Sequence, residues 1–231
     1  MKSNDYSVSL CQKFTTMDST THIRDFLERE IVPRYDDFDA GHRRDHVHHV
    51  MEQALALARF YPHVDRNMVL VAAAYHDLGL AEGRDNHHTV GARILREDHR
   101  LLQWFTPEQI AVMADAAEDH RASSDHEPRT IYGRIVAEAD RHIDAVTIVR
   151  RALQYGLAHY PQLDREGQFT RLCEHMRDKY DTGGYLKVWI PQSDNAQRLQ
   201  EFRDLLHSPG ALRQLFNSLY ETEQQPSNHT P

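Results

Sequence analysis

The chain has 231 residues, 40% hydrophobic and 27% charged, which is ordinary for a globular protein and ample for a buried core. A formal charge of −8 argues against a groove binder of nucleic-acid polymers, which needs a basic surplus, yet leaves room for a small phosphorylated substrate at a local positive site. Two cysteines far apart, Cys11 and Cys173, argue against a cysteine zinc cage or a disulfide framework. MKSNDYSVSLCQKF lacks an apolar signal core, and the longest apolar run, Met68 to Tyr75, is too short to span a bilayer. The expected setting is cytoplasmic and reduced, without a membrane, so the sequon Asn228-His229-Thr230 reads as chance. Residues 1–18 read as an N-terminal extension.

In chain order the pattern is helical. Ile23, Phe26, Leu27 and Ile31 form a first stripe, stopped by Pro33. Asp39 is placed to cap a helix with Val47, Val50, Met51, Ala54, Leu57 and Ala58 on one face. Asn67 to about Leu78 is apolar nearly all round, as a helix buried on every side would be. A polar loop with Gly79 and Gly83 leads to a helix from Thr89 to about Phe105. TPEQ then opens another: Thr106 caps, Pro107 takes the first position and Gln109 completes a capping box, ahead of the stripe Ile110, Met113, Ala117. After a loop at Ser123 to Pro128, a long helix from about Arg129 carries Ile135, Ala139, Ile143 and Val146. Helices follow at Arg165 to Tyr180, Asn195 to Leu206 and Gly210 to Glu221, with a short extended piece at Tyr185 to Ile190 and a disordered tail at 224–231. With no repeat and no sustained heptad, the expectation is an all-α, single-domain helical bundle over 19–223.

Polar residues on apolar faces carry the chemistry. Seventeen histidines are present, most of them expected to be solvated. His76 and Asp77 end the most apolar helix, where an unpaired carboxylate would cost several kcal/mol; they either reach water at the helix end or share a cation. His42, His46 and His49 follow i, i+4, i+7 on one helix face, with His46 at the edge of the Val47/Val50 stripe. His120 continues the Ile110, Met113, Ala117 stripe, as a core histidine on a backbone carbonyl or as a ligand. Asp140 sits between the inward positions Ala139 and Ile143; its partner is a salt bridge with Arg134 or Arg141, or a metal. His46, His76, Asp77 and Asp140 thus come from three helices, and two imidazoles with two carboxylates suit Mn, Fe, Co, Ni or Zn. Water on such a metal becomes a nucleophile near neutral pH.

The ordered set H…HD…D resembles the HD-domain superfamily of metal-dependent phosphohydrolases. Arg43-Arg44-Asp45-His46 with Val50 is similar to that family's RxxH…V element, His76-Asp77-Leu78-Gly79 to its HDxG variant, and Ala139-Asp140 to its distal AD element. Asn86-His87-His88-Thr89-Val90-Gly91 resembles the HxxxG element, with His87 four residues before Gly91 and His88 as the fallback register. His120 resembles the histidine before the long helix. The resemblance implies an HD-type bundle and six ligands, His46, His76, Asp77, His87, His120 and Asp140, with Asp77 bridging when two ions bind. The ion is divalent (Mn, Fe, Co, Ni, Zn or Mg), one or two per chain. The GYP signature of cyclic-di-GMP phosphodiesterases and the HDxxED text of alarmone hydrolases are absent, and the likeness is to small stand-alone HD hydrolases.

The expected activity is hydrolysis of a small phosphorylated, nucleotide-like substrate by a metal-activated water. Arg43, Arg44, Arg121 and Lys179 are candidates to hold phosphate oxygens, and His42 or His88 to protonate the leaving group. Asp77 completes the catalytic set. The alternatives are a non-catalytic module that senses a nucleotide or metal, and a diiron HD-type oxygenase. The oligomeric state is left open, a homodimer among the options.

Overall fold

In the computed structural model, described for residues 19–39, 41–124 and 126–224, every regular element is helical and no strand occurs among the described residues. The N-terminal extension with Cys11 and the apolar-signal question, and the tail from 225 with its sequon, lie outside the described residues. The chain divides into two compact units, 1–140 and 141–231; the domain expected over 19–223 runs through both. No described helix is long and apolar enough to cross a membrane.

The first unit is built around one helix. Helix α1 (19–26) passes into a π turn at Leu27–Ile31 and a 3-10 turn at Val32–Tyr35. Pro33 therefore does not stop the helix. It enters near the start of a tighter turn, where its missing N–H is tolerated. Helix α2 spans Arg44–Ala58 and α3 spans Arg66–Tyr75. All eight residues from Met68 to Tyr75 are buried, because α1, α2, α4 (His87–Glu97), α5 (Pro107–Glu118) and α6 (Ile131–Ala139) or their turns pack around α3. Each fully buried Val or Leu there is worth roughly 1.5–3 kcal/mol, which makes α3 the anchor of the unit.

Three boundaries differ from the sequence reading, each through a carboxylate. Asp39 does not cap α2, whose cap position is Arg43; its Oδ1 accepts from the Gly41 N–H and from His42 Nδ1 in the preceding turn. The helix expected over Thr89–Phe105 breaks at Asp98 (φ −79°, ψ 85°). Asp98 Oδ1 accepts the Arg100 N–H and its Oδ2 accepts the buried Tyr75 hydroxyl at 2.7 Å, so a 3-10 turn, His99–Gln103, follows instead. The long helix expected from Arg129 ends at Asp140. Residues 141–144 are not helical, and Asp144 accepts the Thr147 N–H to cap a new helix, α7 (Ala145–His159). Elsewhere local chemistry is legible: the Thr106/Gln109 capping box forms in full, with Pro107 at the first helical position.

The second unit comprises α7, α8 (Arg165–Tyr180), α9 (Asn195–Leu206) and α10 (Pro209–Gln224). Leu153, Leu172, Met176, Phe202 and Phe216 lie in its core. The stretch expected as extended, Tyr185 to Ile190, pairs with no strand. The Leu186 N–H donates to the Lys179 carbonyl after a turn in which Gly183 takes φ +89°.

Candidate metal centre

Three helix C-terminal ends and two helix starts in the first unit deliver the polar residues. His46 is the third residue of α2, at the edge of the buried Val47/Val50 face. His76 and Asp77 follow the last residue of α3, where the backbone turns (Asp77 φ −103°, ψ 3°). The end of α3 leaves carbonyls without helical partners. His76 Nδ1–H donates to the Ala73 carbonyl at 2.7 Å, and the buried Tyr35 hydroxyl donates to the Ala74 carbonyl at 2.9 Å. Tyr35 also accepts the Asp77 N–H at 3.4 Å. The next turn is crossed by the start of α4 at backbone contact. A Cβ on Gly79 would stand 1.9 Å from the His87 carbonyl oxygen, and one on Gly91 would stand 3.0 Å from the His76 carbonyl oxygen. These glycines are what let His87 approach the 76–77 pair. His120 follows the C-terminus of α5, and Asp140 that of α6.

The six residues converge. Asp77 Oδ2 lies 3.4 Å from His46 Nε2 and 3.2 Å from His76 Nε2, and Asp140 Oδ1 lies 3.3 and 3.7 Å from the same two nitrogens. The two imidazole nitrogens are 3.3 Å apart. On the other side, Asp77 Oδ1 lies 3.4 Å from His120 Nε2 and 3.6 Å from His87 Nε2, themselves 3.1 Å apart. The result is two ligand groups that share one buried carboxylate, and both His46/His76/Asp77 and Asp77/His87/His120 have donors close enough to hold a metal. Asp140 is not mid-helix, as its sequence position implied. It caps α6, where a carboxylate can reach the cluster without breaking a helix.

The donor chemistry fits a divalent cation. Donors about 2.1 Å from one ion stand roughly 3.0–3.4 Å from each other, close to the spacings here. His87 Nδ1 donates to the Arg84 carbonyl at 2.7 Å and His120 Nδ1 to the Ala117 carbonyl at 2.5 Å. Both rings therefore turn an Nε2 lone pair inward, and two lone pairs at 3.1 Å repel unless a cation or proton lies between them. His120 is thus both the carbonyl-bonded core histidine and a potential ligand.

Electrostatics distinguish the two sides. Burial works to raise the Asp77 pKa, but the charge of His76 and the polar contacts of His120, His46 and His76 hold it well below the usual carboxylate range. Asp140 is depressed in the same way: burial is outweighed by hydrogen bonds from His46 and His76. Burial would lower His76, yet the Asp77 charge and bonds to both carboxylates raise it well above an ordinary histidine; His46 is raised likewise. His87 goes the other way, pushed down to about 4 by burial and by His120.

The other expected residues divide. His42 stands beside the cluster, its ring edge-on to His46 with centroids 5.5 Å apart and Nδ1 2.8 Å from Asp39. His88 packs edge-on to His87, and it is His87, not His88, whose Nε2 faces Asp77. The buried Nδ1 of His88 has no protein partner, and burial, then Arg121 and His120, lower its pKa. Arg121 directly follows His120 and donates to the Asp85 carbonyl. Arg43 bonds the Phe38 carbonyl through Nε. Arg44 is bound to both oxygens of Asp36 at 2.5 Å, which occupies the guanidinium expected to take phosphate. Lys179 belongs to the second unit, where its ammonium lies over the Tyr180 and Tyr185 rings. Sequence reasoning missed Tyr35 and Arg84; the only signal for either is proximity in the fold.

Residues 43–143 match the protein-family model described as HD domain. No curated protein and no solved structure matches the chain.

Proposed function

We propose, from the match of residues 43–143 to the HD-domain family model, that the protein is a metal-dependent phosphohydrolase acting on a small phosphorylated, nucleotide-like substrate. The family is in general one of metal-dependent phosphohydrolases, and the His/Asp groups could hold the metal. One observation carries the reading: each oxygen of the buried Asp77 faces its own pair of imidazole nitrogens. A carboxylate at that depth is costly as mere packing and has the form of a bridging ligand.

A bound divalent metal supplies Lewis acidity, lowering the pKa of water and offsetting charge on phosphoryl oxygens. The chain's own groups do the rest. Carbonyl bonds at Nδ1 lock the rings of His76, His87 and His120 so that Nε2 points inward. His42, oriented by Asp39 through Nδ1, keeps Nε2 to hold a proton for the leaving oxygen. Arg43, on the segment beside His46, draws the reacting phosphoryl group in by charge.

The test is elemental analysis of protein purified without chelator, with turnover measured on p-nitrophenyl phosphates and a nucleotide panel in added Mn or Ni. Stoichiometric metal and turnover are expected, both lost in Asp77→Ala. Tight metal binding with no turnover would point to a sensor, and iron with oxygen consumption to an oxygenase. Absence of stoichiometric metal would sink the reading.

A further inference from the structure

The segment 83–86 is fastened across the cluster at three points. Its Arg84 carbonyl accepts His87 Nδ1–H at 2.7 Å, its Asp85 carbonyl accepts Arg121 Nη1–H at 2.7 Å, and the Arg84 side chain reaches Asp39 Oδ2 at 3.4 Å. Asp39 Oδ1 in turn holds His42, whose ring abuts His46. The segment therefore links the edge of the His46/His76 group to the edge of the His87/His120 group, and a guanidinium borders each link.

These two guanidiniums differ from several others in the unit. Arg93 and Arg100 are held by Glu82 and Asp98 at 2.6 and 2.7 Å, and Arg44 is held by both oxygens of Asp36. Arg84 has one long contact to Asp39, with side chains 71% and 58% exposed, an ion pair of the kind worth little in water. Arg121 gives one N–H to a carbonyl and keeps the remaining donors of a five-donor fork. Guanidinium forks match phosphate oxygens, and an incoming phosphoryl group would outcompete so weak a partner as Asp39 at this distance.

We propose that Arg84 and Arg121 form a binding site for a second, non-reacting phosphoryl group, so that the substrates are compounds with two or more linked phosphoryl groups. This inference rests on the phosphohydrolase reading and narrows its substrate class. The experiment titrates the manganese-loaded protein calorimetrically with orthophosphate, pyrophosphate and tripolyphosphate, for wild type, Arg84→Gln and Arg121→Gln. Chelation of metal by the probe is common to all three proteins, so differences between them report the guanidiniums. Wild type is expected to bind the linked phosphates at least about tenfold tighter than orthophosphate, equivalent to roughly 1.4 kcal/mol. Arg84→Gln, at a solvent-exposed position that the fold does not need, is expected to remove most of that preference and leave orthophosphate binding and metal content unchanged. Equal affinity for all three probes, or a preference that survives both substitutions, overturns the proposal while the phosphohydrolase reading stands. If no phosphate binds and none is turned over with any metal, that reading fails and the inference goes with it.

Discussion

Tyr35 donates its hydroxyl hydrogen to the Ala74 carbonyl at 2.9 Å, and so a side chain from the first helical segment closes the end of the helix that presents His76 and Asp77. The same oxygen accepts the Asp77 N–H. Tyr35→Phe keeps the packed ring and strands two buried backbone groups. It is expected to destabilise the protein by about 1–3 kcal/mol in denaturant titrations. Metal affinity should fall too, which simple loss of packing elsewhere would not cause.

Gly79 and Gly91 make a sharper prediction. A methyl group on Gly79 would overlap the His87 carbonyl oxygen and approach the Gly91 nitrogen at 2.7 Å, both backbone atoms that cannot swing aside. Gly79→Ala should cost about 3 kcal/mol or more and displace His87 from the shared carboxylate. Gly91→Ala, whose nearest contact is 3.0 Å, should cost less. Thermal unfolding orders the two variants; equal effects would contradict the backbone-contact argument.

Ligand removal separates the two groups. Asp77→Ala should release most bound metal and abolish metal-dependent hydrolysis, because both groups lose an oxygen. His120→Ala touches one group only and should leave the His46/His76/Asp77 ligands able to bind. Elemental analysis of the two variants side by side distinguishes a shared ligand from a local one.

The pH dependence of the metal-free protein has two limbs. His87, with its pKa near 4 against about 6.5 in the unfolded chain, disfavours the proton in the folded state. Unfolded chains take up that proton first, so its contribution to stability is lost as pH falls from about 6.5 towards 4. His46 and His76 are raised, so their contribution is fully present below about 6.5 and lost as pH rises through their folded values. The depressed Asp77 and Asp140 contribute above about 3.9, and that is lost only in stronger acid, as pH falls through their folded values. Melting temperature without metal should therefore peak near pH 6.5. Added manganese competes with protons on His46 and His76, so its stabilising shift should grow with pH above that point; a flat shift would contradict the assignment.

A control lies in α5. Thr106→Ala removes one half of a complete capping box and should cost about 1 kcal/mol with no change in metal content.

How much of this was legible beforehand follows from the range of the forces involved. The capping box at Thr106, the buried stripe of α2 and the all-round burial of α3 are set by residues within one or two turns, and the sequence displays them. His46, His76, Asp77, His120 and Asp140 stand out in the same way, each on or at the end of an apolar stripe, whereas His87 is picked out only through the resemblance of Asn86 to Gly91 to a family element. The breaks at Asp98 and Asp140 were not legible. A carboxylate that ends a helix by bonding Tyr75, 23 residues away, or by facing His46 across the fold, looks locally like a polar residue within one. Arg44 shows the same limit. Its commitment to Asp36 depends on the turn between them, and without that turn it reads as a free cation ready for phosphate.

The division of Asp77 between two sets of nitrogens has a dynamic corollary. Its two oxygens move together, because one side-chain torsion carries both. A tug on one oxygen turns the other relative to His87 and His120, so occupancy on one side resets the fit on the other. Loading should therefore proceed in two unequal, mutually dependent steps, with a single rotating side chain as the coupling element.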